Sequence, residues 1–470
     1  MSATRFFRFA VVFCGVLALA AGVLAFFAWW PAIAPVKPPA ATGFPPEMVK
    51  RGAELAALGN CGACHTAPGG REFAGGLALP TPFGTIYSTN ITPEPETGIG
   101  NWSEAAFQRA MRDGVRRDGA YLYPAFPYDH FTLVADDDNR ALYAFVMTRA
   151  PVRAAAPDNK LPFPLNVRLA LFGWNLLFLH PGAYRADPAH DAVWNEGAYL
   201  ANGLAHCGAC HTPRNSLGAE KASEKFAGSA VEGWTAYALN KASPAPVAWN
   251  ADTIFQYLRD GFQEQHGVAR GPMAQVASNL HTAPEQDVRA IATYIAAQMG
   301  SGVPGPQAAQ QARAQSERGK AVTAASADSQ ADATKAGGAD DEGALIYAAA
   351  CAGCHQGPRA IPFGGIDLAL SSGVNGPRPD NLINIVLNGL PAVENARTPI
   401  MPGFASAIDD NQLVALVRYL RARLTDKGPW SDLEQSVREA RSAERAATAG
   451  RVSVHEPASS TQQVSDETQR

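Results

Sequence analysis

The sequence predicts an all-α fold: three small helical units in tandem behind an N-terminal transmembrane helix. Three observations carry that expectation. A five-residue pattern occurs three times, as "CGACH" at 61–65, "CGACH" at 207–211 and "CAGCH" at 351–355. Around each copy, apolar residues recur at three- and four-residue intervals, the period of a helix with one buried face. Finally, Phe9 to Trp30 is an uncharged run of 22 residues. That is long enough to cross a hydrocarbon core of about 30 Å.

The elements follow in order. Arg5 and Arg8 precede the apolar run and hold its start in the cytoplasm, and Trp29 and Trp30 suit the far interface. A cleaved signal is the alternative, since "AIA" at 32–34 resembles a cleavage site, but Pro35 follows at once and opposes it. Each C-x-x-C-H pattern follows a helix-like stretch: "MVKRGAELAALGN", "VWNEGAYLANGLAH" and "EGALIYAAA". Downstream, "FQRAMRDG", "IFQYLRDG" and "LINIVLNG" each end at a glycine, and "NRALYAFVMTR", "DVRAIATYIAAQM" and "NQLVALVRYLRARL" close the units. Cys61 to Cys207 is 146 residues and Cys207 to Cys351 is 144, so the units form an internal repeat.

The expected organisation is therefore an anchor and spacer (1–40), a first unit (41–155), an apolar connecting segment (156–190) and a second unit (191–300). A flexible linker (301–342), a third unit (343–430) and a polar disordered tail (431–470) follow. The linker is rich in Ala, Gln, Ser and Gly, with almost no large apolar side chains to bury. In the connecting segment, Leu169–Leu179 is too short to span a bilayer. It serves either as packing between units 1 and 2 or as an exposed surface for a membrane or partner.

The chain has 470 residues and a formal net charge of −4. This balance gives no sign of nucleic-acid binding. Six of its seven cysteines lie in the three patterns, and the seventh, Cys14, lies in the apolar run. C-x-x-C-H reads as covalent attachment of haem c. Cys61 and Cys64, Cys207 and Cys210, and Cys351 and Cys354 would each form thioethers to the haem vinyl groups. His65, His211 and His355 would be the proximal iron ligands. A zinc site would pair C-x-x-C units around one metal, without a histidine after each. A dithiol redox motif would not occur three times. Helix, motif, loop, helix, loop, helix is the plan of a cytochrome c-type domain.

Such a domain takes its sixth ligand from the loop before the last helix, where a soft thioether suits iron and raises its potential. Met273 lies 12 residues after Gly261, and Met401 lies 12 after Gly389. The shared offset lifts both above mere core filling. The same step from Gly114 reaches Phe126, in "YLYPAFPYDHF", which cannot bind iron. Met111 stands where the other repeats carry Leu258 and Val386, a core pattern. His130 stands where they carry Ala277 and Ala405, and is the expected substitute ligand; an open or water-filled position is the alternative.

The stretches "CGACHTAPGG", "TPFGTIYSTNITPEPETGIGNW", "GLAHCGACHTPRN" and "RGPMAQV" carry a resemblance to the triheme cytochrome c subunits of bacterial membrane-bound dehydrogenases. These act on alcohols, aldehydes, sugars and sugar acids. The resemblance covers roughly residues 45–430. "YPAFPYDHF" is more similar to the branch partnering molybdenum hydroxylases of aldehydes or N-heteroaromatics. The resemblance implies an electron-transfer subunit with three covalent haems c. Its catalytic partner would be a molybdopterin plus iron–sulfur subunit, or else one of flavin or quinone type. Its acceptor would be ubiquinone or a terminal oxidase. It also implies attachment to the bacterial inner membrane with the haem domains in the periplasm. The chain shows no nucleotide-binding glycine fingerprint and no catalytic constellation. The competing readings are a peroxidase-like enzyme with an open first haem, or a cytochrome subunit of a terminal oxidase.

Overall fold

In each repeat the first helix meets a later helix at a glycine, and this close approach organises the whole molecule. The computed structural model describes residues 7, 12–13, 15–16, 19, 22, 26–300, 306–307, 310–317, 339–355, 364–391 and 398–454. In the first repeat, α1 (Pro46–Leu58) leads into the short motif helix α2 (Cys61–His65), then β1 (Ala78–Thr81) and β2 (Gly84–Tyr87). There follow α3 (Glu104–Asp113), α4 (Tyr128–Phe131) and α5 (Asp136–Met147). The connecting segment forms α6 (Leu171–Phe178). The second repeat contains α7 (Ala192–Asn202), the motif helix α8 (Cys207–His211), β3 (Ser229–Val231) and β4 (Trp234–Ala236). It continues with α9 (Ala251–Asp260), β5 (Phe262–Gln263), β6 (Gly267–Val268), α10 (Pro272–Thr282) and α11 (Glu285–Met299). The third comprises α12 (Ala339–Ile346), α13 (Ala352–His355), α14 (Ser372–Asn375), α15 (Asp380–Asn388), α16 (Asp410–Leu424) and α17 (Leu433–Val454).

At the crossings, a β-carbon on Gly52 would overlap the carbonyl of Ala141. One on Gly197 would overlap that of Ala290, and one on Gly343 that of Ala415. Beside each lies the β-carbon of an aromatic residue, Phe145, Tyr294 or Tyr419. Only glycine lets the two backbones approach so closely. The sequence marks the three sites identically, as Gly-Ala eight to ten residues before the motif.

Repeats 1 and 2 share one continuous apolar core, running from Leu55, Leu142 and Phe145 to Leu200, Leu204, Ile291 and Ile295. Repeat 3 has its own, around Leu382, Ile383, Leu387, Leu413 and Leu416. Arg51 on α1 joins the first two repeats electrostatically. It meets Asp138 of α5 at 3.2 Å and the buried Asp287 of α11 at 2.9 Å.

Repeat 3 docks on repeat 2 through polar contacts. The Asn381 side chain accepts from Thr235 N (2.8 Å) and donates to Thr235 O (2.9 Å), pairing with β4 as a neighbouring strand would. Asn384 donates to Gly233 O (2.9 Å), and Arg270 to Gly389 O (3.0 Å).

Four sequence expectations need correction. The fold is not purely helical: among the described residues, three two-stranded antiparallel hairpins, β1–β2, β3–β4 and β5–β6, interrupt the helices. "TIY" and "WTAY" carry the β-branched and aromatic residues of strands next to turn glycines, Gly84 (φ 125°) and Gly233 (φ 77°). These stretches are too short to stand out against the helical period.

The transmembrane helix expected over 9–30 is not found: among the described residues, no helix is long and apolar enough to cross a membrane. Part of that run lies outside them. The helix has ended by Trp29, and the chain continues as an extended strap on repeat 1. Ile33 N donates to Arg117 O (2.8 Å), Val36 N to Asn101 O (3.0 Å), and Arg109 to Pro31 O (2.7 Å).

The linker expected over 301–342 is structured where it is described. Residues 310–317 are helical, and Ala312 is wedged against Val247 and Leu370. Its "QAAQQARAQ" has high helix propensity, which polarity obscured. The tail expected to be disordered from 431 contains α17. Its Leu433 and Val437 are buried against the repeat-3 core, with Ala440 packed beside them, at i, i+4 and i+7 among charges. Arg441 reaches Asp410 (3.0 Å) and Ile408 O (2.9 Å). Residues 455–470 lie outside the described residues.

The connecting segment packs between the first two repeats and leaves part of its apolar surface exposed. Asn175 accepts from Tyr128 OH (2.7 Å), and Trp174 donates to Leu217 O of repeat 2 (3.1 Å). Meanwhile Phe163, Leu176 and Leu177 stay exposed.

Gly197→Ala should cost more than about 3 kcal/mol, because its methyl meets backbone that cannot retreat. Gly173→Ala on α6, with open space around it, should be neutral or stabilising by up to about 1 kcal/mol. Denaturant titration of both variants checks the contrast.

Candidate functional site

The first two C-x-x-C-H motifs are each a single helical turn that starts once the preceding helix has been broken, whereas in the third the helix runs on through a π-helical turn (Tyr347–Cys351) into α13. Asn60 and His206, just before the first two motifs, sit at positive φ (54° and 38°). This redirects the chain after α1 and α7. The first cysteines, Cys61, Cys207 and Cys351, pack against the cores. Cys64 and Cys354 face outward, and Cys210 is half-buried. None of the six is in a disulfide, and Cys14 lies outside the described residues.

The imidazoles are held the same way in all three. Nδ1 of His65 lies 2.6 Å from Thr89 O, that of His211 2.6 Å from Tyr237 O, and that of His355 2.9 Å from Ile366 O. A carbonyl can only accept, so Nδ1 carries the proton and Nε2 is left bare as a ligand atom. Burial holds all three imidazoles below their usual pKa, against the opposing pull of the carbonyls, which favours that neutral form.

The chemistry of this donor set separates the candidates. Burial pushes the Cys61 and Cys207 thiols up to about 12 and Cys351 to about 11. Dithiol exchange needs a thiolate, which this burial disfavours. Nor do the motifs converge on one ion. Among the described residues, the one cluster that could hold a metal is Asp129, His130 and Glu220, which contains no cysteine. Two neutral thiols on one turn beside an imidazole with a free Nε2 fit a covalently attached haem.

The loops that supply the carbonyls are built for it. Before α3, Asn90 is buried, and its Oδ1 accepts from Thr92 N (2.9 Å) and Thr92 Oγ1 (2.8 Å). Its Nδ2 donates to Val152 O (2.7 Å) and Thr97 Oγ1 (3.1 Å). Glu94 accepts from Thr97 N (2.5 Å) and Thr97 Oγ1 (2.6 Å). This polar knot sets the backbone that carries Thr89 O, and is what "STNITPEPETG" encodes. In repeat 2, Tyr237 lies two residues beyond Thr235, where repeat 3 docks.

The remaining predicted residues are placed as follows. Met273 is in the first turn of α10, half-buried against the shared core. Its approach is set by Gly271 (φ 57°), where a side chain would strike the Trp234 ring. Met401 packs against the repeat-3 core and pairs with Leu390, at 2.8 and 3.0 Å. Gly389, twelve residues earlier, lies against its carbonyl. Phe126 packs on Phe131, with ring centroids 5.1 Å apart. Met111 is buried in the core.

The structure does not bring His130 to the first motif as a ligand. Its Nδ1 lies 2.6 Å from Asn202 O and its Nε2 2.6 Å from Glu220 Oε1. Both partners belong to repeat 2. Both ring nitrogens therefore face acceptors and both carry protons. Burial opposes that charge, but Glu220, Asp129 and the Asn202 carbonyl overcome it and raise the pKa. An imidazolium has no lone pair for iron. No local pattern signals Glu220, 90 residues from His130, and backbone carbonyls leave no signature in a sequence.

A helical domain closed by a glycine-mediated crossing around C-x-x-C-H, with its imidazole tied by Nδ1, is a c-type cytochrome domain. Comparison with known proteins agrees and goes further. Residues 338–420 match the family described as cytochrome c oxidase, cbb3-type, subunit III. The fructose dehydrogenase cytochrome subunit of Gluconobacter japonicus is 36% identical, over 82% of this chain and 81% of its own length. The gluconate 2-dehydrogenase cytochrome c subunit of Pantoea cypripedii is 38% identical, over 80% and 85%. A nicotinate dehydrogenase subunit of Pseudomonas putida is 45% identical over 91% of this chain. This chain spans only 35% of that relative's length. The chain belongs to the family of cytochrome c subunits of bacterial dehydrogenases, electron-transfer proteins that carry covalent haem c.

Asn90→Ala would strand Thr92 N without its acceptor and leave Val152 O without the Asn90 amide. It should cost about 2–3 kcal/mol in denaturant titration.

Proposed function

We propose that this chain carries three covalent haems and passes electrons from a catalytic dehydrogenase subunit to a quinone or terminal oxidase. The observation that carries this reading is the threefold recurrence of one arrangement: paired cysteines, a following histidine, and a downstream carbonyl on its Nδ1. Bound haem iron supplies one-electron exchange between its ferrous and ferric states. The chain's own residues do the rest. Cys61 and Cys64, Cys207 and Cys210, and Cys351 and Cys354 tether the cofactors. His65, His211 and His355 present Nε2. Met273 and Met401 are the sixth ligands of the second and third centres. With His130 engaged elsewhere and Phe126 in the methionine's place, the first centre has no protein ligand on that loop.

For the partner we favour a molybdenum hydroxylase, on the identity to the nicotinate dehydrogenase subunit and on the first-repeat motif around Phe126. A flavin- or quinone-linked dehydrogenase is the alternative. We place the protein at the periplasmic face of the inner membrane, where c-type haem is attached. The Phe126 substitution also keeps a peroxidase-like first centre as the second reading.

Intact mass with haem staining should show three haems per chain, and a mass with two removes one motif from the scheme. Purification from the native host should co-elute a molybdenum-containing subunit. Peroxide turnover by the isolated chain would instead favour the second reading. Met273→Ala and Met401→Ala should each remove one weak near-infrared sulfur-to-iron band and lower that centre's potential. An unchanged band in both variants would make these methionines core residues only.

A further inference from the structure

We propose that His130 is a positioning residue for the second haem centre: with Glu220 it clamps the second motif helix onto repeat 1 and holds a positive charge against it. This deepens the electron-transfer reading and rests on Cys207–His211 as a haem site. His130 lies on α4 of repeat 1, yet its contacts are in repeat 2. Asn202, whose carbonyl takes Nδ1, is the last residue of α7, five before Cys207. Glu220, which takes Nε2, lies on the loop after the motif. Between them is Gly208, inside the motif itself. A β-carbon there would lie 3.0 Å from His130 Cε1 and 2.9 Å from Glu220 Oε2. In the first motif the corresponding Gly62 would meet nothing closer than 3.7 Å, and the third motif has Ala352 there. The second motif alone is shaped by this clamp.

The same junction brings the first two motifs together. His206, immediately before Cys207, donates from Nε2 to Gly59 O (3.3 Å), two residues before Cys61. Its ring packs edge-on against Phe131 and His130. His206 stays neutral, its pKa pushed to about 4 by burial and by the neighbouring His130 charge. His130 is thus the imidazolium at the place where the two centres approach. The charged groups around it are Asp129, Glu220, Arg214 and Lys225. This accounts for a histidine in repeat 1 where the others have Ala277 and Ala405: in this position repeat 1 grips the next repeat's motif.

Removing the cation while leaving Glu220 favours the ferric state of the second centre, and removing the anion does the opposite. The test is a redox titration of the haem-loaded full chain, each centre resolved by electron paramagnetic resonance. Wild type is compared with His130→Ala, His130→Gln and Glu220→Gln. Both His130 variants should lower the second centre's potential, Glu220→Gln should raise it, and the first centre's signal should keep its position. If His130→Ala instead turns the first centre high-spin, His130 is its ligand and the proposal is overturned. If no potential moves in any variant that retains wild-type helicity, the pair is only an interdomain ion pair, and the proposal is equally overturned. Should His130→Ala not fold, His130→Gln and Glu220→Gln still give the two opposite signs. The haem reading itself fails separately, through absence of the second haem from the wild-type mass.

Discussion

The approach of two helix backbones at a glycine is the constraint on which the rest of this protein depends. Where Gly52 meets Ala141, Gly197 meets Ala290 and Gly343 meets Ala415, the first helix of a repeat and a later one touch without intervening side chains. That contact fixes where the first helix ends. The motif turn begins there, and the histidine can then be reached by a carbonyl from its own downstream loop. The repeats reach that carbonyl differently: through a polar knot around Asn90 in the first, by the β3–β4 hairpin in the second, and only 11 residues along the chain, at Ile366, in the third. The function constrains the endpoint and leaves the route free.

What was legible in the sequence was local. The three motifs, the helices around them and the 12-residue steps to Met273 and Met401 depend on spacing along the chain, and spacing is what a sequence displays. The Gly-Ala pairs were equally visible but carried no meaning until a facing helix was known. Three expectations missed for two reasons. The helices at 310–317 and 433–454 were hidden because their apolar stripe is thin and their composition polar, so composition outweighed periodicity. The β hairpins were hidden because so few residues per strand cannot show a period of two.

His130 illustrates the other limit. Its position in the loop, and its absence from the other repeats, marked it as special to the first. The structure turns it toward other partners, because a histidine's role is set by what faces each ring nitrogen, and these partners lie 72 and 90 residues away. A position peculiar to one repeat can answer to that repeat's neighbour as readily as to its own cofactor.

The shared core of the first two repeats has a further consequence. Three sequence repeats make only two thermodynamic bodies. Unfolding repeat 1 alone would uncover Leu204 of repeat 2, which packs at Gly59, and leave Asp287 buried without Arg51. Neither half has a stable intermediate in which the other survives. Repeat 3, closed around its own core and joined to repeat 2 largely by hydrogen bonds, can open and reclose by itself. Heat would therefore dismantle the chain in two cooperative steps, and the terminal centre is the one free to move as a unit.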